Sequence, residues 1–413
     1  MTSSTKARTV AAAVAVSTVV VGGTAGIGSA ETVPIGPGCP ALYVLGIQGT
    51  GQSSPSADPL ADTGVVGALV APVLSAAPNI VQRSYIPYGA GFGGAVPGGG
   101  TDPYVVSVAA ARHRLDAAVT EIADTCPATM IAGIGYSQGA QVMSSFAHDV
   151  GAGSGPVGSE RIAGIALYAD PDRAVGSPIF PGRPGQTVPD PAPGTGGIAV
   201  SAVRIGNLPA DGGGIADGGT SYGVLTGRVA DICADGDLAC SAPTRAALLR
   251  VGAEIAAQAD LRDPLVAIGS LNALLSAALG NAWTTLVLND FQVSAGKVDY
   301  APQLGLAGRL IDAADPRIPV PGSEEIGAAA ARWNEITTTV IANPIELLPK
   351  LAGQLGAAWG QLVADNADLL DPAIWLHYAD TVARHNNYAI TGQLNSGIAW
   401  MVALAHDIAG SRW

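Results

Sequence analysis

Between residues 41 and 233 short apolar runs alternate with longer stretches of helical period. Ala41 to Gly46 reads as a buried strand and Leu60 to Ala77 as a helix. Ile80 to Ile86 reads as a second strand, and Val105 to Asp124 as a helix with Arg112, His113, Arg114 and Asp116 on its polar side. Thr129 to Ile134 is a third, strongly apolar strand, followed by Ala140 to Phe146 in helical pattern. Arg161 to Tyr168 and Arg228 to Cys233 are later strands. Such alternation predicts an α/β fold, a doubly wound and mainly parallel sheet covered by helices. Between Asp172 and Gly197 the Pro- and Gly-rich composition predicts an extended surface loop.

From Ala242 the grammar changes to long Ala/Leu patterns over Arg245 to Leu261, Leu265 to Leu288, Gly327 to Ile341 and Ile345 to Leu362. This predicts an all-helical insertion over residues 242–376, between a core at 31–241 and a C-terminal return at 377–413. Pro264 to Asn289 carries no charged residue, and its length would span a bilayer. Asn272, Asn281, Asn289, Thr284 and Thr285 make it a poor span. A pair of core helices is the plainer expectation, and an apolar lid or acyl-chain surface the functional one.

Composition narrows the setting. The chain has 413 residues, only 13% of them charged, and a net charge of -13; its mean hydropathy is +0.34. With no basic patch to neutralise phosphates, nucleic acid is not an expected partner. Residues 1–30 read as a signal peptide: Lys6 and Arg8, then an uncharged stretch, then Gly28-Ser29-Ala30 as a small-residue cleavage site. A secreted or cell-envelope location follows, and in an oxidising compartment four cysteines become disulfide candidates. Cys233 and Cys240 close a tight local loop, which leaves Cys39 with Cys126. On the chain-entropy model the long loop contributes roughly 4–5 kcal/mol and the short one about 2–3. No cysteine or histidine pair stands at metal-ligand spacing, so no metal is expected.

The candidate chemistry lies in Gly135-Tyr136-Ser137-Gln138-Gly139. A strand, a tight turn with serine at its apex and a helix form the nucleophile elbow of α/β hydrolases, and bulky neighbours two residues away would collide there. A serine hydroxyl needs a base to take its proton and an acid to orient that base. His113 precedes the serine, His148 lies down the following helix and His406 sits on the final apolar helix pattern. His377 and His385 remain, and their local chemistry does not separate them. Asp170, Asp231, Asp235 and Asp237 follow or end strands; Asp237 stands out because Cys233 and Cys240 would clamp its loop.

At these residues the chain resembles the cutinase family of secreted serine esterases. Cys39 lies eleven residues before Thr50, in Gln48-Gly49-Thr50-Gly51, and Cys126 lies eleven before Ser137. Cys233-Ala234-Asp235-Gly236-Asp237-Leu238-Ala239-Cys240 is similar to the family's C-x-x-x-D-x-x-C, and His385-Asn386-Asn387-Tyr388 to its H-x-x-Y. The resemblance implies a catalytic triad of Ser137, Asp237 and His385. It implies an oxyanion hole from Thr50 and the Gln138 backbone N–H, pairs Cys39 with Cys126 and Cys233 with Cys240, and calls for no cofactor. It covers about Cys39 to Cys240 and then His385 onward. In compact cutinases the histidine follows the second cysteine pair within a few residues, whereas here residues 241–384 intervene. A single bilayer span in between would part His385 from Asp237, so the insertion must leave and return on one face.

The expected function is a secreted serine esterase or lipase that hydrolyses carboxylic esters through an acyl-enzyme. Two alternatives are an acyltransferase that moves fatty acyl groups onto envelope glycolipids, and a catalytically silent envelope-binding protein. The helical insertion is the expected contact with membrane or envelope lipid; the natural ester and the oligomeric state are open.

Overall fold

Five parallel strands in the order β2-β1-β3-β4-β5 form the central sheet of the computed structural model, which describes residues 33–411 apart from 207–209, 217, 219, 220 and 295. The signal-peptide expectation for residues 1–30 lies outside the described residues. In chain order the core elements are β1 (Leu42–Ile47), α1 (Gly64–Ala76), β2 (Val81–Tyr85), α2 (Tyr104–Thr125), β3 (Met130–Tyr136), α3 (Gln138–Ala152), β4 (Ile162–Tyr168) and β5 (Val229–Ile232). Parallel pairing needs crossover connections: α1, α2 and α3 supply the first three, and the long segment between Tyr168 and Val229, with only short 3₁₀ turns among its described residues, supplies the last.

The period of two along β1 sorts its side chains onto the two faces. Leu42 and Val44 enter one core with Val66, Leu69 and Trp400. Tyr43, Leu45 and Ile47 enter the other with Leu115, Val119 and Phe146. Both faces are therefore covered, as a sheet of wholly buried strands requires. The disulfides Cys39–Cys126 and Cys233–Cys240 are formed. The first ties the entry to β1 to the end of α2; the second closes the loop after β5.

The insertion comprises α4 (Ala247–Gln258), α5 (Pro264–Asn289), β6 (Phe291–Ser294), β7 (Lys297–Tyr300), α6 (Leu306–Ala314), α7 (Ser323–Ala342), α8 (Pro344–Ala364) and α9 (Pro372–His377). It is predominantly helical rather than all-helical, because β6 and β7 pair antiparallel as a hairpin. Val298, Phe291 and Tyr300 from that hairpin seed a small core with Val287, Ile336 and Leu347. After α10 (Thr381–Asn386), α11 (Leu394–Gly410) returns to the main sheet. Its Trp400 is fully buried against Phe180 at 6.1 Å between ring centroids, and burial of such a side chain contributes about 1.5–3 kcal/mol. Asp407 accepts from the Ala199 and Val200 N–H groups at 2.8 and 3.0 Å, which fastens the helix end.

Two expectations are corrected. The charge-free helix α5 is not a core helix: it buries only Ala278, Ala282, Thr284 and Val287 among its described residues. Leu265 and Ile268 are 81% and 66% exposed. Its neighbours cover one stripe, with Leu271 and Leu274 half-buried against α4 and α6, and leave the opposite face exposed. The Pro-rich segment after Asp172 is also not simply a surface loop. Phe180 is buried within it, and the buried Arg173 donates to the Gly212, Ser177 and Ala210 carbonyls at 2.7, 2.6 and 3.0 Å. With the Cys240 carbonyl at 3.3 Å, four backbone acceptors for one guanidinium hold the segment onto the core.

Candidate active site

Ser137 sits between β3 and α3 with φ 54° and ψ -121°, a backbone region that L-residues rarely enter. Two glycines make that turn achievable. A Cβ on Gly135 would lie 2.5 Å from the Gly139 carbonyl oxygen, and one on Gly139 only 2.2 Å from that of Ile47. Backbone occupies both spaces, so the glycines let α3 approach the end of β1. Ser137 N–H donates to the Tyr168 carbonyl at 2.8 Å, which fixes the turn against β4.

His385 Nε2 lies 2.9 Å from Ser137 Oγ, and its Nδ1 lies 2.9 Å from both carboxylate oxygens of Asp237. Asp237 is fully buried, Ser137 is 8% exposed, and the imidazole is the more accessible member. The insertion thus leaves and returns on one face, because α10 meets the loop after β5. His377 lies elsewhere: its Nε2 is 3.5 Å from Asp235 Oδ2. His148 approaches Asp149 on α3, and His406 is exposed on α11.

Two tyrosines surround this chain of contacts. Tyr388 Oη donates to Asp237 Oδ2 at 2.9 Å and accepts from the Ala234 N–H at 2.9 Å. Ala239 N–H donates to Asp237 Oδ1 at 3.0 Å. The carboxylate therefore receives donors from imidazole, phenol and backbone, enough to hold a buried charge in one orientation. Tyr136 Oη donates to the His385 carbonyl at 2.5 Å, with the two rings 5.3 Å apart. Burial foremost, and then the Asp237 charge, push both phenols well above their ordinary range, so both stay protonated donors at neutral pH. Tyr388 was visible in sequence as part of H-x-x-Y without a role. Tyr136 carried no signal beyond its place in the elbow.

Thr50 and Gln138 lie at the same place. Gln138 opens α3, so its N–H has no intrahelical acceptor. Its side chain is pinned from both ends: Nε2 donates to the Gly91 carbonyl at 3.0 Å, and Ser107 Oγ donates to Oε1 at 3.4 Å. Thr50 stands in the turn after β1, where Gln52 N–H donates to the Gly49 carbonyl and Gly51 N–H to that of Ala90. Thr50, Ser137 and His385 all line one cleft of about 830 Å³. Phe92, Val105 and Leu238 contribute apolar lining, and Ala253, Glu254 and Arg317 bring the insertion into its wall. Asp170 and Asp231, weighed as acids from sequence, are buried away from His385's contacts; Asp170 Oδ2 and both oxygens of Asp231 lack hydrogen-bond partners among the described residues.

Solved structures similar to this chain are an acetyl xylan esterase at 22% identity, covering 57% of this chain and 99% of that one with a TM-score of 0.33, and lysin B from Mycobacteriophage D29 at 20%, covering 74% and 91% with a TM-score of 0.34. A cutinase-like protein from Cryptococcus sp. is 18% identical, covering 49% and 80% with a TM-score of 0.32. A carboxylesterase Culp6 homolog of Corynebacterium glutamicum is 29% identical over 213 residues, which make up 50% of this chain and 66% of that protein. The chain therefore matches just under two thirds of that relative's length. Residues 38–249 match the cutinase family model, and these span the elbow, both cysteine pairs and the Asp237 loop: the chain belongs to the cutinase family.

Proposed function

We propose that the protein is a secreted serine esterase or lipase that cleaves carboxylic esters through an acyl-enzyme on Ser137. One observation carries the reading: the unbroken contact from Ser137 Oγ through His385 to Asp237, each step 2.9 Å. His385 Nε2 takes the serine proton as Oγ attacks the ester carbonyl, and returns it to the leaving alcohol oxygen. Water then attacks the acyl-enzyme, with His385 again as base. Asp237 keeps Nδ1–H directed and stabilises the imidazolium that forms. The Gln138 N–H, joined by Thr50, donates to the developing alkoxide; removal of one such donor typically costs about 3–4 kcal/mol. Secretion is supported by the two disulfides, which persist in oxidising compartments.

The insertion serves as a lid wall and as the contact with lipid. Support comes from the exposed, charge-free face of α5 and from the insertion residues that line the cleft. Transfer of the acyl group to a hydroxyl acceptor in place of water is a second reading, favoured by that wall beside Ser137. Turnover of a short-to-long panel of p-nitrophenyl esters, with fluorophosphonate labelling, tests the main reading. Ser137→Ala abolishes both, and His385→Ala lowers turnover by roughly 10⁶-fold. Retained turnover in Ser137→Ala sinks the reading, and near-normal turnover in His385→Ala moves the base to His377. Transacylated product on addition of sugar acceptors selects the transferase.

A further inference from the structure

Glu254 lies on α4 and lines the cleft that contains Ser137, yet it is only 7% exposed. Among the described residues no donor makes a hydrogen bond to its carboxyl. The nearest cation, Arg317 Nη2, stands 3.6 Å from Oε1, beyond hydrogen-bond reach. Arg317 is committed elsewhere: Nε to Asp315 at 2.9 Å, Nη1 to Asp172 at 3.2 Å and Nη2 to the Ala216 carbonyl at 3.1 Å. A mostly buried carboxyl whose one partner is that longer ion pair has acceptor capacity to spare, and at a cleft wall the further donor comes with the ligand.

Arg317, the cation beside that acceptor, is tied to the nucleophile's helix. Gln141, one turn after Ser137 on α3, donates through Nε2 to Asp172 Oδ1 at 3.1 Å and accepts from Tyr104 Oη at 2.7 Å. Asp172 in turn holds Arg317, so the insertion's polar wall is tied to the helix that presents the serine. Burial foremost, opposed by Arg317 and reinforced by Asp315 and Asp172, pushes the Glu254 carboxyl up to about 7.

The charges say which donor fits. Arg317 faces three carboxylates, Asp172, Glu254 and Asp315. Arg112, the other cleft cation, is paired with Asp116 and Asp149 at 2.9 and 2.7 Å. A phosphate or free carboxylate would meet excess negative charge, whereas a neutral hydroxyl supplies the missing hydrogen bond without a charge. Phe92, Val96, Val105 and Val108 offer the same cleft's apolar lining to an acyl chain.

Resting on the esterase reading above, we propose that Glu254, held by Arg317, forms a subsite that accepts a hydrogen bond from a free hydroxyl on the alcohol half of the ester. The enzyme would thus take polyol esters, of glycerol or of a sugar, in preference to esters of simple alcohols. A site built around a hydroxyl discriminates strongly against the analogue that lacks it, because its polar group is then left unpaired.

The test compares kcat/KM for matched pairs with one acyl chain: the glyceryl against the propyl ester, and the glucose 6-ester against the cyclohexylmethyl ester. Wild type favours the hydroxylated member at least tenfold in one pair, and the larger ratio identifies glycerol or sugar as the source. Glu254→Met collapses that ratio at least tenfold, and Glu254→Gln, which keeps an acceptor oxygen, retains part of it. A wild-type ratio near one, a ratio unmoved in Glu254→Met, or a preference that tracks a hydroxyl on the acyl half overturns the proposal. A measurement on wild type alone guards against misfolding: a 1-O-alkyl glycerol ether inhibits at least tenfold more tightly than the alkyl propyl ether, and equal inhibition refutes the subsite. Ser137→Ala is run on every ester. Turnover that survives it defeats the esterase reading, while lost turnover with an unmoved ratio in Glu254→Met defeats only the subsite.

Discussion

Replacing Tyr388 by phenylalanine removes one oxygen atom from a fully buried position. That oxygen donates to Asp237 Oδ2 and accepts from the Ala234 N–H, both at 2.9 Å. A hydrogen bond to a charged group contributes about 1.5–3 kcal/mol, and a buried N–H left without an acceptor costs roughly 1–3 kcal/mol. Some relaxation is inevitable, so a net loss of about 2–4 kcal/mol in stability is expected. The aromatic packing against Tyr136 and Tyr168, at 5.9 and 6.1 Å between centroids, is unchanged by the substitution and should not contribute. Asp237 keeps its donors from His385 and Ala239, so the catalytic loss is far smaller than for Asp237→Asn. About tenfold in kcat/KM is expected for Tyr388→Phe, against roughly 10⁴-fold in kcat for Asp237→Asn. Urea unfolding followed by circular dichroism measures the first effect, and the rate of fluorophosphonate labelling measures the second. Wild-type stability together with labelling within twofold of wild type would show that the phenol serves only as packing, and the reasoning would fail.

Gly139→Ala places a methyl group where the Ile47 and Gln48 carbonyl oxygens stand, at 2.2 and 2.5 Å, so α3 must retreat from the loop carrying Thr50; ester turnover drops at least a hundredfold with a stability loss of about 1–3 kcal/mol, and an active variant would refute the close fit. Burial foremost, opposed by Arg173 and reinforced by Asp172, pushes the Asp231 carboxyl up to about 7. The folded state then holds a proton the unfolded chain has released, so stability falls as pH rises from about 4 to about 7, by up to ~1.4 kcal/mol per unit. Asp231→Asn takes away this carboxyl's share of the fall and leaves that of Glu254, and urea midpoints that keep the full wild-type pH slope would contradict it. Leu265→Asp with Ile268→Asp on α5 weakens co-flotation with phosphatidylcholine vesicles while p-nitrophenyl butyrate turnover persists; undiminished flotation would remove α5 from lipid contact.

Local order was legible in the chain because it rests on near neighbours. The period of two along β1, the glycines around Ser137 and the Cys233–Cys240 spacing each constrain a few consecutive residues. Four helix spans in the insertion, those of α4, α5, α7 and α8, were readable for the same reason within a few residues at each end, whereas the short α6 and α9 and the β6–β7 hairpin were not. The elbow, the aspartate loop and the H-x-x-Y segment could be named as parts of a family pattern, although His377 and His385 were equal on local chemistry alone.

Tertiary structure decided what depends on distant segments. Whether α5 is covered is set by the area its neighbours can offer, and hydropathy along one helix does not contain that quantity. Asp237 and His385 meet only because α10 and α11 dock back onto the sheet through Trp400 and Tyr388. The donors on Asp237, and Glu254 with Arg317 in the cleft wall, arise where elements far apart in sequence converge. Sequence alone therefore determined the strands of the main sheet, the longer helices and the candidate nucleophile, since backbone propensity and side-chain period act over a few residues. Which histidine reaches that serine, and what chemistry walls its cleft, came from packing summed over the whole chain.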